Sequence, residues 1–197
     1  MRTHESFPTQ ESEEDFLVKQ FDNPDILNLN GEDVEVVDVS PRWLKTEVAT
    51  LAIPGFSATP GALKDSIIRT AEAGRRVISA HAPHGIEVKE EKSDLVEAEM
   101  RKLELVLELI KAKDLAKVNV IANSESSIYV TVAALLAPEK FENIVFVEPA
   151  GLIGEDTWFQ LLKRTLEDMK EQGKQGVGKQ QVKFQASVLT GITSVLS

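Results

Sequence analysis

The chain of 197 residues contains no cysteine and three histidines. Disulfides, thiolate metal sites and a cysteine nucleophile are therefore excluded. The best-placed reactive group lies in Val120-Ile121-Ala122-Asn123-Ser124-Glu125-Ser126-Ser127, where an apolar β-branched run turns directly into a helical pattern with a serine at the corner. Such a corner lifts a hydroxyl above a sheet. It requires strained backbone at the serine and small residues two positions to either side, because bulk there would collide between strand and helix. Ala122 and Ser126 meet that requirement, which makes Ser124 the candidate nucleophile. The alternative reading of Ser124 is a helix N-cap, a common role for a serine that follows a strand.

Two further loops follow apolar runs: Ile53-Pro54-Gly55-Phe56-Ser57 and His81-Ala82-Pro83-His84-Gly85. Gly55 also reads as a tight turn with Phe56 packed in the core. His81 and His84 are separated by a proline-containing loop and have no third histidine or cysteine nearby, so they are read as turn residues and no metal site is expected. A serine hydroxyl needs a neighbouring general base to attack a carbonyl at neutral pH, yet no histidine follows residue 84. Gly173 to Gln180 (GKQGVGKQ) nearly spells a phosphate-binding loop. It places glutamine where the magnesium-binding hydroxyl belongs, and it follows a helical pattern instead of a buried strand. It reads as a helix–helix connection, and no cofactor is expected.

The elements that must position these loops alternate between short β-branched runs and longer helical patterns, which predicts an α/β fold with a mostly parallel sheet. Asp33 to Val39 alternates with period two and reads as an antiparallel entry to the sheet; Glu47 to Pro54 is the next strand. Thr59-Pro60 opens a helix through Leu63, Ile67, Ile68 and Ala71 that ends at Gly74, and a strand follows over Arg75 to Ala80. Ser93 is expected to cap the strongest helix, whose buried stripe is Val96, Met100, Leu103, Leu107 and Ile110, with Glu97/Arg101 and Glu108/Lys111 on a solvated face. Lys117 to Ala122 is a buried strand, Glu125 to Leu136 a helix, and Asn143 to Val147 a further strand. Beyond Gly151 the alternation stops, and Asp156 to Met169 and Gln181 to Leu196 read as helices.

Charge is unevenly spread. Residues 1–36 hold ten Asp or Glu against Arg2 and Lys19, a balance of −8 within a total of −10. Residues 1–32 are accordingly expected to be an acidic, partly disordered leader. No basic stripe offers the phosphate-neutralising footprint of a nucleic-acid binder. No apolar run spans a bilayer and the N-terminus lacks signal-peptide order, so the expectation is a cytoplasmic protein. Oligomeric state is not legible.

Residues 33–151 resemble the N-terminal portion of the α/β-hydrolase fold. ANSES stands where that family has its G-x-S-x-G nucleophile elbow, with both glycines replaced by small residues. The loop at Pro54-Gly55-Phe56 is similar to the family's H-G-x oxyanion loop, with proline in the histidine position, and His81 to Gly85 is similar to its G-H-G turn. The resemblance implies that Ser124 is the nucleophile and that the backbone amides of Phe56 and Glu125 converge on an oxyanion. It implies a serine hydrolase or acyltransferase acting on a small-molecule ester, thioester or amide, with residues 152–197 as a helical cap or lid. Trp158, Phe159, Leu161 and Leu162 would then be cap core or an apolar wall over the site. Family order places an acid and then a histidine after the serine. Glu148, Glu155 and Asp156 follow the last strand, but none is assigned as the acid. The missing histidine and the abrupt apolar ending are read as truncation, so the chain is expected to be a fragment. The rival expectation is a noncatalytic binding or interaction module of the same fold; a Rossmann-like nucleotide domain lacks its glycine-rich turn.

Overall fold

A computed structural model of the chain describes residues 11–55, 58–80 and 95–150, with side chains described from residue 100 onward in the last segment. The chain divides into two compact units, Met1–Ala150 and Gly151–Ser197, and all described residues belong to the first. Phe56, His81, His84, Ser93, Glu155, Asp156, the glycine-rich stretch at 173–180 and the expected cap lie outside the described residues.

The described elements are α1 (Glu13–Phe21), β1 (Asp25–Leu29), β2 (Glu32–Val39), β3 (Ala49–Ile53), a 3-10 turn (Pro60–Leu63), α2 (Lys64–Glu72), β4 (Val77–Ala80), α3 (Leu95–Ala112), β5 (Val118–Asn123), α4 (Ser126–Leu136), a second 3-10 turn (Pro138–Lys140) and β6 (Phe141–Val147). The strands form one sheet in the order β1-β2-β4-β3-β5-β6. β1 and β2 are antiparallel, as are β2 and β4, whereas β4, β3, β5 and β6 run parallel. This is the expected mostly parallel α/β sheet with an antiparallel entry.

Alternation along the strands builds two cores. Val36, Leu51, Ile53, Ile78, Ala80, Val118, Val120 and Ala122 face one side, under Leu103, Val106, Leu109 and Ile110 of α3 and Tyr129, Val130 and Ala133 of α4. Val37, Val39, Ala52 and Val77 face the other, under Leu17 and Phe21 of α1 and Ile67, Ile68 and Ala71 of α2. Both faces of the central strands are therefore covered, which is why β3 and β4 are buried at every position.

Residues 11–32, part of the stretch expected as an acidic, partly disordered leader, carry α1 and β1. Ser12 caps α1 by accepting from the Asp15 amide, three acidic residues occupy its positively polarised first turn, and Leu17 and Phe21, one turn apart, pack into the second core. Gln20 and the backbone of Ser40 exchange hydrogen bonds of 2.9 Å in both directions, which docks α1 on the end of β2. β1 then pairs with β2 across Asn30-Gly31, both with positive φ (53° and 87°), the combination that a two-residue hairpin of primed type needs. The acidic side chains stay in solvent while the apolar ones are buried, so high local charge and ordered structure coexist.

Two local readings shift. Met100 is exposed, and the buried stripe of α3 runs instead through Leu103, Val106, Leu109 and Ile110, with Leu107 only partly buried. Thr59 precedes the 3-10 turn but makes no side-chain cap; Pro60 opens the turn. Gly74 does end the segment after α2, at φ +85°, and a Cβ there would sit 2.4 Å from the Trp43 ring. The expected Glu108–Lys111 pair forms at 3.2 Å. Among the described residues no helix is long and apolar enough to cross a membrane, and no group of three metal-ligating side chains occurs.

At the amino ends of the parallel strands an ionic cluster joins four elements. Arg76 donates to Asp38 through Nε (2.9 Å) and Nη2 (2.7 Å), and Lys113, just past α3, donates to Asp38 (2.8 Å) and to Asp25 of β1 (3.2 Å). Burial pushes the Asp38 carboxyl up, but the donated hydrogen bonds and positive charges of Arg76 and Lys113 outweigh it and hold it below the usual carboxylate range. A depressed folded-state pKa contributes stability that is present above the unfolded value and is lost as pH falls through the folded one. Asp38→Asn is therefore expected to cost about 2 kcal/mol at pH 7, with the gap to wild type closing as pH falls through and below the ordinary carboxylate range; urea melts at pH 7 and across that range check this.

β6 forms the other edge of the sheet. Among the described residues it pairs only with β5, and it exposes Val145, Phe146 and Val147; Leu135 and Leu136 of α4 are exposed as well. An apolar strand edge that is unpaired among the described residues invites strand pairing. Concentration-dependent self-association is expected in analytical ultracentrifugation of the 197-residue chain, and Val145→Lys should weaken it.

Candidate functional site

Ser124 sits where β5 ends, with α4 starting two residues later. Its φ is +54°, a left-handed conformation that costs a residue with a Cβ about 1–3 kcal/mol. Among the described residues, four non-glycine residues have positive φ: Asn30, Asp114, Ser124 and Glu148. Asn and Asp tolerate that region through local hydrogen bonding. The two that do not, Ser124 and Glu148, lie at the carboxyl ends of neighbouring parallel strands, where an open α/β sheet places its ligands.

The strain is held by hydrogen bonds on every side. The Ser124 amide donates to the Val147 carbonyl (2.9 Å), and the Ser124 carbonyl accepts from the amides of Ala150 (3.1 Å) and Ser127 (3.2 Å) and from the Ser127 hydroxyl (2.6 Å). The turn between β5 and α4 is thus fixed to the end of β6 as well. Every Ser124 backbone polar atom is engaged, whereas its half-buried hydroxyl has no hydrogen-bond partner among the described residues. The helix N-cap is Glu125, with no side-chain cap bond, so the capping alternative leaves the Ser124 hydroxyl unused.

The flanking small residues do different work. Ala122 is buried under the sheet's first core. Ser126, also fully buried, stands within hydrogen-bond distance of the carbonyls of Asn123 (2.9 Å) and Ile53 (3.1 Å) and shares its proton between them. Its hydroxyl therefore ties the end of β3 to the end of β5.

The loop after β3 is fitted against the same corner. A Cβ built on Gly55 would lie 2.9 Å from the Ser124 Cβ, 3.0 Å from the Asn123 carbonyl oxygen and 3.2 Å from its side-chain oxygen. Only glycine allows this approach. Tyr129 of α4 donates to the Pro54 carbonyl at 3.4 Å, adding a second tether to the loop. Of the two amides expected to face an oxyanion, that of Glu125 carries no hydrogen bond among the described residues; Phe56 is outside them. Glu125 directs its carboxylate to Lys102 of α3, at 2.9 Å. Glu148 is exposed in the loop after β6.

The described geometry thus brings together Ser124, Glu125 and Gly55. It contains no histidine to serve as general base, since His4, His81 and His84 are all outside the described residues. Sequence reasoning missed Lys102, Tyr129 and the cross-linking role of Ser126, whose contacts join positions 23 to 75 residues apart.

No known protein family profile matches this sequence, and no curated protein is similar to it. Solved structures are. A serine hydrolase from the polyaromatic hydrocarbon-degrading bacterium Cycloclasticus zankles superposes with a TM-score of 0.58 at 11% identity, over 69% of this chain and 48% of that one. An alpha/beta hydrolase from Novosphingobium aromaticivorans gives 0.52 at 14% identity over 63% and 43%. A predicted CIB-like hydrolase from Thermoplasma acidophilum gives 0.51 at 18% identity over 64% and 62%. The chain spans about half the length of these structures, and at such identities the likeness is one of fold.

The close approach of the two loops can be tested by stability alone. Gly55→Ala forces backbone at the elbow to move and should cost roughly 1–3 kcal/mol. Gly61→Ala, whose Cβ would meet only the Thr59 hydroxyl at 3.3 Å, should be close to neutral in the same denaturant titration.

Proposed function

We propose that this chain, which has the α/β-hydrolase fold, belongs to a serine hydrolase or acyltransferase with Ser124 as its nucleophile. The observation that carries this reading is the left-handed Ser124, whose backbone is fully hydrogen-bonded while its hydroxyl has no partner among the described residues. Backbone strain of this kind persists only where surrounding structure over-determines it, and it concentrates at working sites. Further support comes from Gly55, which lets the loop after β3 lie against the nucleophile's own Cβ.

In the proposed reaction the Ser124 Oγ adds to the carbonyl carbon of an ester, thioester or amide. Its proton passes to a general base and then to the leaving group as the carbon–heteroatom bond breaks. The carbonyl oxygen becomes an oxyanion, which the amides of Glu125 and Phe56 stabilise. Water, or a second acceptor in an acyltransferase, then resolves the acyl-enzyme. The base is supplied from outside the described residues. The rival reading, a noncatalytic binding module of the same fold, draws on the absence of any histidine after residue 84.

A fluorophosphonate probe on full-reading-frame protein, read by intact mass, separates the two. Labelling at one site that disappears in Ser124→Ala is expected. A folded protein that does not label would exclude an activated serine and leave the binding module.

A further inference from the structure

A carboxylate next to the nucleophile is an electrostatic problem for the proposed chemistry. Glu125 follows Ser124 directly, and its own amide is a proposed oxyanion donor. A negative side chain a few ångströms from a developing negative oxygen raises the energy of the tetrahedral state, more so in a partly desolvated site. The chain resolves this within the fold. Lys102, on α3 and 23 positions earlier, places its Nζ 2.9 Å from Glu125 Oε1, with both side chains about four-fifths buried. The same Nζ lies 5.8 Å from the centre of the Tyr129 ring, and Tyr129 donates to the Pro54 carbonyl in the loop after β3. One ammonium thus stands beside both a residue of the elbow and the side chain that tethers the facing loop.

We infer that Lys102 is a positioning residue for the elbow. It neutralises the Glu125 carboxylate and draws it toward α3, so that negative charge can build at the oxyanion held by the Glu125 amide. The inference rests on Ser124 being the nucleophile. A surface ion pair would contribute little; this one is mostly shielded from solvent and adjoins the reacting group, so its effect falls on reactivity more than on stability. Removing Lys102 takes a positive charge from beside the Glu125 carboxylate, whereas removing that carboxylate takes a negative charge from beside the nucleophile. The two single substitutions therefore act in opposite directions, a pattern that a purely structural role does not produce.

The test is the second-order rate of fluorophosphonate labelling at Ser124, with full-reading-frame protein in low salt. Lys102→Met should slow labelling about tenfold, Lys102→Arg should stay close to wild type, and Glu125→Gln should label as fast as wild type or faster. The double variant Lys102→Met/Glu125→Gln should recover most of the lost rate, because the charge that Lys102 offsets is gone. A wild-type rate in Lys102→Met, or no recovery in the double variant, overturns the role of Lys102 while leaving Ser124 as nucleophile. Absence of labelling in wild type overturns both. If Lys102→Met does not fold, Glu125→Gln decides: labelling slower than wild type contradicts the inference.

Discussion

The carboxyl end of the sheet depends on one strained residue being held in place. Ser124 turns left-handed between a buried strand and a helix, and that conformation is unfavourable for any residue with a side chain. It is maintained by the amide bond to Val147, by three donors converging on its carbonyl and by the glycine packed against its Cβ. These partners come from β6, α4 and the loops after β3 and β6. The corner is therefore where three parallel strands are brought into register, and it fixes which atoms are consumed by the fold and which are left over.

What is left over defines the chemistry. Backbone groups at a strand-to-helix corner are strong donors and acceptors that must be satisfied if buried. Here many are satisfied locally, whereas the Glu125 amide carries no hydrogen bond among the described residues. The replacement of glycine by Ser126 belongs to the same economy of hydrogen bonds. The close crossing of helix and strand is kept because the serine side chain finds acceptors on both adjoining strand ends. A sequence that keeps the G-x-S-x-G spacing but replaces its glycines can thus hold the corner by a different physical route.

Much of this was legible in the residues. Period-two alternation found β2, and apolar runs bounded by Gly and Pro found β3 to β6; Ala122 and Ser126 pointed to the corner at Ser124. The N-terminal elements were missed because net charge was weighed above spacing. Yet Ser12 to Asp15 has capping-box spacing, Leu17 and Phe21 share a helix face, and Asn30-Gly31 is the dipeptide that a tight hairpin selects. The burial of α3 could not be fixed from its own periodicity, because Leu, Val and Ile occupy most of its circumference. Which arc is covered depends on where the sheet and α4 lie. Lys102 with Glu125, and Asp38 with Arg76 and Lys113, are products of topology: no local pattern announces a pair whose members are tens of residues apart.

The strand order has a consequence for synthesis on the ribosome. β3 lies between β4 and β5, yet it precedes both in the chain. It is apolar or small throughout, with Ala49, Leu51, Ala52 and Ile53 all buried in the finished sheet. At typical elongation rates of about 5–20 residues per second, its first neighbour follows by roughly one to five seconds and its second by several more. The β1–β2 hairpin closes in microseconds but offers β3 no edge, because β4 occupies the place beside β2. For that interval the most hydrophobic strand of the nascent chain has nothing to pair with, which makes it the natural point of engagement for chaperones during translation.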